Sequence, residues 1–94
     1  MTNYYLEIGH DTTNEGYDSW IEIVGKYDTL QKLIKDLKDN YEGHSVLKEF
    51  ENMTTEEDVT NFIKTLITKY KNGWSVFIFK KIIDNNTYNI IYNA

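Results

Sequence analysis

Residues 54–83 read TTEEDVTNFIKTLITKYKNGWSVFIFKKII, and within this stretch the apolar period changes from that of a helix to that of a strand. Val59, Phe62, Ile63, Leu66, Ile67 and Tyr70 recur at helical spacings of 3, 1, 3, 1 and 3, which places them on one stripe. Thr54 or Thr55 is the expected N-cap. Glu56, Glu57 and Asp58 then sit at the positive end of the helix dipole, Lys69 and Lys71 at its negative end, and Asn72-Gly73 supplies the stop. From Trp74 the composition turns aromatic and β-branched through Ile83, and again over Thr87–Tyr92 (TYNIIY), with Asp84, Asn85 and Asn86 between. A C-terminal hairpin is expected there.

Working outward to the N-terminus, Tyr4, Leu6 and Ile8 alternate with Tyr5 and Glu7, the period of a half-buried strand. Gly9 to Asp18 (GHDTTNEGYD) reads as a polar loop, and Trp20 to Lys26 (WIEIVGK) as a second strand. Asp28 stands where an N-cap is expected, with Gln31 completing a capping box. Leu30, Leu33, Ile34, Leu37 and Tyr41 then form an amphipathic helix ending near Tyr41–Gly43. Val46, Leu47 and Phe50 suggest a short further helix in Ser45–Met53. The order is ββααββ, perceived as one α+β domain over residues 1–94. Each helix has a single apolar stripe, so an antiparallel four-stranded sheet with the helices on one face buries the most, giving a two-layer sandwich.

The 94 residues contain no cysteine, which excludes disulfides, thiolate metal sites and cysteine nucleophiles, and points to a reducing compartment. The chain opens without a basic leader, and its longest apolar run, Val76–Phe79, is far too short to span a bilayer, so a cytosolic location and no membrane partner are expected. Lys, Ile, Asn and Tyr are abundant while Arg and Pro are absent and Ala occurs once, the bias of an AT-rich bacterial genome or its phages and plasmids.

Charge is the main functional signal. The net charge of -5 conceals an acidic N-terminal part and a basic C-terminal part. Glu7, Asp11, Glu15, Asp18 and Glu22 fall within the first 25 residues, where there is no lysine, and Tyr17 and Trp20 lie among them. Carboxylates around exposed aromatics suit a basic protein surface and repel nucleic acid. Glu7, Asp11, Glu15, Tyr17, Asp18, Trp20 and Glu22 are therefore the candidate partner-binding residues. The competing reading is that Trp20, like Tyr4, fills the core. A rival account places single-stranded nucleic acid on Lys69, Lys71, Trp74, Lys80 and Lys81, a lysine and aromatic composition that suits stacking but lacks arginine. A third has the chain self-assemble as a homodimer through the Tyr88–Tyr92 strand, edge to edge.

Catalytic and cofactor chemistry finds little purchase. Asp11, Thr13, Glu15, Gly16, Ser19 and Glu22 match part of a calcium-loop spacing, but Asp18 stands where that loop requires an apolar residue, and strands flank it. His10 and His44 lack metal-site spacing and are expected on loops beside Gly9 and Gly43. Gly9, Gly16, Gly25, Gly43 and Gly73 are scattered, forming no phosphate loop, and no serine has a motif tying it to a histidine. Neither an enzyme, a cofactor nor a metal is expected. In size, acidity and composition the chain resembles the small inhibitors that phages and mobile elements carry against host-defence nucleases, and the immunity proteins that cap basic toxins. That resemblance implies a stoichiometric, nucleic-acid-mimicking inhibitor whose carboxylates and aromatics occupy a nuclease's positive channel.

Overall fold

The computed structural model describes residues 3–12, 20–70 and 74–94. Its elements follow the expected ββααββ order: β1 (Tyr4–Asp11), β2 (Trp20–Tyr27), α1 (Leu30–Asn40), a 3₁₀ helix (Ser45–Phe50), α2 (Glu56–Lys69), β3 (Val76–Ile82) and β4 (Tyr88–Asn93). The strands form one antiparallel sheet in the order β2-β1-β3-β4, so the fold is α+β as expected. The sheet is two hairpins joined along β1 and β3. The first strand is thereby central, and β2 and β4 are the edges.

Strand β1 runs three residues further than its alternation suggested. Gly9, His10 and Asp11 belong to the strand, with Gly9 paired to Glu22 on one side and Val76 on the other. Glycine and a short polar run read as a loop only in isolation. Gly9 is flanked by strands on both sides, and His10 and Asp11 continue the ladder with Ile21 and Trp20 of β2, which takes up backbone groups that a loop would leave to solvent.

Helix α1 starts one residue later than expected. Thr29, with φ -132 and ψ 157, is the N-cap, and its side chain accepts from the Lys32 amide at 3.2 Å. Asp28 lies outside the cap; its carboxylate instead meets the Lys32 ammonium at 3.5 Å, and its carbonyl accepts from Asn3. Helix α2 begins as its sequence required. Thr55 accepts from the Asp58 amide at 3.0 Å, and Asp58 Oδ2 accepts from the Thr55 amide at 3.0 Å, closing a capping box. Those backbone donors, Thr54 N–H first, hold the Asp58 carboxyl below its ordinary range.

Strand alternation sorts the sheet into two faces. Leu6, Ile8, Ile21, Ile23, Phe77 and Phe79 share one buried cluster with Leu33, Ile34 and Leu37 of α1 and Val59, Phe62, Ile63 and Leu66 of α2. Met53 and Val46 of the segment between the helices join it. Polar contacts seal the margin of the same face. Tyr4 donates to Glu56 at 2.6 Å, Tyr27 donates to Asp36 at 2.6 Å, and the Lys81 ammonium lies 3.5 Å from Glu56. Tyr27 folds back over Gly25, where a Cβ would meet its hydroxyl at 2.5 Å, so a side chain there would push Tyr27 off Asp36.

Candidate interaction face

The other face of the sheet carries Trp20, Glu22, Val24 and Lys26 from β2, and Tyr5, Glu7, Gly9 and Asp11 from β1. It also carries Val76, Ile78, Lys80 and Ile82 from β3, and Tyr88 and Ile90 from β4. Among the described residues, Trp20, Val24, Trp74, Tyr88 and Ile90 account for five of the six large hydrophobic residues found exposed, and the sixth, Ile83, lies just beyond β3. At 70% exposure Trp74 is the most open of them. Isolated exposed apolar side chains are ordinary, whereas here they are gathered on one sheet face, which makes it the candidate interaction face.

One end of this face is built on Gly9. Trp20 on β2 and Trp74, just before β3, stack across β1 with ring centroids 5.6 Å apart and planes inclined by 14°. A Cβ at Gly9 would stand 3.0 Å from the Trp20 ring and 3.3 Å from Val76, so the absence of a side chain lets the indole lie over the central strand. Asp11 pairs in register with Trp20, and Glu22 pairs with Gly9. Two stacked indoles are thus bordered by two carboxylates.

The opposite end is basic. The Lys80 ammonium lies 4.2 Å from the Tyr88 ring centroid and 5.4 Å from that of Tyr5, a cation held between two aromatic faces. Lys26 pairs with Tyr5 on its other side. Tyr5 donates to Glu7 at 2.6 Å, and this hydrogen bond to the carboxylate raises the phenol's pKa. Beside Lys80 and Tyr88 lies an open pocket of about 240 Å³, floored by Tyr5 and Ile82 and closed by the hairpin turn at Asp84–Thr87. Within that turn Asp84 Oδ1 accepts from the Asn86 amide at 2.8 Å, which holds its carboxyl below the usual range.

Four of the candidate partner-binding residues, Glu7, Asp11, Trp20 and Glu22, therefore meet on one face. Glu15, Tyr17 and Asp18 lie outside the described residues. The lysine set is divided: Trp74 and Lys80 share the open face, Lys81 turns to Glu56 of α2, and Lys69 contacts Ser45 and the Tyr70 ring at the end of α2. Lys71 lies outside the described residues. Of the partial calcium-loop register, Asp11 and Glu22 are strand residues, and Thr13, Glu15, Gly16 and Ser19 lie outside the described residues. Among the described residues no three His, Cys, Asp or Glu side chains gather as metal ligands.

The histidines are not exposed. His10 is a β1 residue, not a loop residue, and has no exposed surface, whereas His44 lies in the connection after Gly43, as expected, but is buried there ahead of the 3₁₀ helix. His10 Nδ1 lies 3.2 Å from the Asp11 carbonyl and Nε2 lies 2.6 Å from the Tyr41 hydroxyl. A carbonyl only accepts, so the proton sits on Nδ1, and Nε2 accepts from Tyr41. The ring packs against Tyr70 at 4.8 Å and Phe77 at 5.6 Å. Burial is the main cause that lowers its pKa, with a smaller contribution from His44; the same burial drives the Tyr41 phenol up. Period-two continuation from Ile8 to His10 was the one signal that could have found this residue. It was masked by the polar run that follows.

Comparison with protein-family models, with curated proteins and with solved structures returned no match for the chain. No helix among the described residues is long and apolar enough to cross a membrane.

Proposed function

We propose that the chain is a non-enzymatic protein-binding domain whose open sheet face docks on a basic protein surface. The stacked Trp20–Trp74 pair is the anchor, and Asp11, Glu22 and Glu7 select the sign of the partner. The observation that carries this reading is the coincidence on one helix-free face of the acidic residues and the exposed tryptophans. Aromatic anchors inside a charged border are the usual composition of an energetic interface centre. Two parallel indoles beside carboxylates also offer what a strand of nucleic acid offers to a cationic channel: stacked planes flanked by negative charge. The reading therefore extends to a stoichiometric inhibitor of a basic nuclease or host-defence protein in a bacterial cytosol.

The test compares three immobilised baits, the wild type, Asp11→Lys/Glu22→Lys, and a control reversed on α1, Lys35→Glu, over bacterial lysates with and without phage infection. A basic protein retained by wild type and control but released at much lower salt from the double variant supports the face. If that protein is a nuclease, titration of its cleavage should end at a fixed molar ratio. Equal retention on all three baits would discard the acidic end as the contact. Recovery of single-stranded nucleic acid on the wild type that is lost on a fourth bait, Lys80→Glu, would transfer the face to the lysine and aromatic reading.

A further inference from the structure

The open face is sorted by charge along the strand direction, and that sorting is more than a basic partner needs. In register order the rows across the sheet are Trp20 with Asp11, Glu22 with Gly9 and Val76, Val24 with Glu7 and Ile78, and Lys26 with Tyr5, Lys80 and Ile90. Carboxylates thus occupy the tryptophan end and ammonium groups the tyrosine end. A nucleic acid complements one of these ends, and a uniformly basic surface the other. A full complement needs both signs in the reverse order.

We propose that this complement is a second copy of the chain, packed face to face with its strands running in the opposite direction. A two-fold axis lying across the strands, between the Gly9 row and the Glu7 row, lays the Asp11 row of each copy over the Tyr5 row of the other. Asp11 then stands opposite Tyr5 between Lys26 and Lys80 of the second copy, while Trp20 and Trp74 lie over those same lysines. Both charge pairings and both cation–π contacts occur twice, as a two-fold interface requires. The inner rows bring Val76 onto Ile78, which covers apolar surface that a single copy leaves to solvent. Such a dimer occludes the acidic end, so a heterologous basic partner and the second copy exclude one another.

Both tryptophans of the chain lie on this face, so their emission reports its covering without a label. Sedimentation and tryptophan emission would be followed over a dilution series at about 0.15 M salt, where the Debye length is about 8 Å and the long-range repulsion between acidic copies is screened. The wild type should sediment as a dimer at high concentration, with emission shifting to longer wavelength on dilution. Asp11→Lys and Lys80→Glu should each weaken self-association by about tenfold or more, because each places like charges opposite one another. An equimolar mixture of the two variants should recover the dimer, since Lys at 11 then meets Glu at 80. A wild type that stays monomeric, or a dimer whose emission does not move on dilution, overturns the proposal. So does a dimer that persists in both variants, the result expected of β4 edge pairing. Should either variant fail to fold by circular dichroism, Trp20→Lys with Lys26→Glu, positions that this axis sets opposite one another on the exposed edge strand, repeats the exchange, with weakening and recovery read by sedimentation.

Discussion

The two faces of this sheet are similar in composition and opposite in fate. Both carry aromatic and branched side chains from the same four strands. On the covered face Phe77, Phe79, Leu6 and Ile8 are at or near zero exposure because two amphipathic helices bring matching stripes. On the open face Trp20, Trp74, Val24 and Ile90 lie outside the buried cluster and remain accessible. Apolar content therefore does not separate folding from contact in a chain of this size. The difference lies in which face the connecting segments return to, and it predicts that truncations will be costly to stability on one side and nearly silent on the other, where only added bulk over the central strand should cost.

The largest effect should come from the covered face. Phe79→Ala removes a fully buried ring that stacks on Tyr4 at 6.1 Å and should lower stability by about 3–5 kcal/mol in a denaturant titration. A loss below about 1 kcal/mol would mean that the covered face is not the core.

Gly9→Val comes next, and it acts through the open face. Its Cβ would enter contact at 3.0 Å with the Trp20 ring, so the indole must leave Trp74, and the strain should cost about 1–3 kcal/mol. The near-ultraviolet dichroism of the tryptophan pair should diminish at the same time. An intact tryptophan signal would show that the stack does not depend on the missing side chain.

A smaller effect is expected from His10 on acidification. Its imidazole is neutral in the fold and its folded pKa is depressed by burial, so above about pH 6.5 folded and unfolded chains bind no proton there and stability is at its plateau. As pH falls below that value the unfolded chain takes up a proton that the folded one refuses, and stability declines until the folded pKa is passed. Denaturant midpoints measured from pH 8 to pH 5 should show this fall, and the His10 ring resonances should not titrate near pH 6.5. Titration at the ordinary value would place the ring in solvent.

Smallest of all, Trp74→Ala should change stability by less than about 1 kcal/mol, the worth of one exposed aromatic pair, while removing half of the proposed anchor. A large loss of stability here would erase the distinction between the two faces.

Much of the architecture was legible because it rests on periodicity. The α2 stripe, its threonine cap and acidic first turn follow from spacing, the C-terminal hairpin from aromatic and β-branched composition around a polar turn, and the ββααββ order from the two together. Cap chemistry was less legible at α1, where Asp28 and Thr29 are adjacent and equally capable acceptors. Backbone direction chose Thr29. The extension of β1 through Asp11 and the burial of His10 were hidden because a glycine followed by polar residues looks like a loop until strands stand on both sides of it.

The candidate site shows the same division. Sequence alone singled out Glu7, Asp11, Trp20 and Glu22 as an acidic group with an aromatic, and Trp74, Lys80 and Lys81 as a separate basic one. Tertiary structure decided that β1 pairs with both β2 and β3, which sets Trp20 against Trp74 over Gly9 and puts Lys80 on the same surface as Glu7, while Lys81 turns to α2. Side-chain alternation is a local property of an extended backbone, whereas strand order depends on contacts between residues distant in sequence. The composition of each surface was therefore readable in the chain, and the joining of two oppositely charged segments into one face was not.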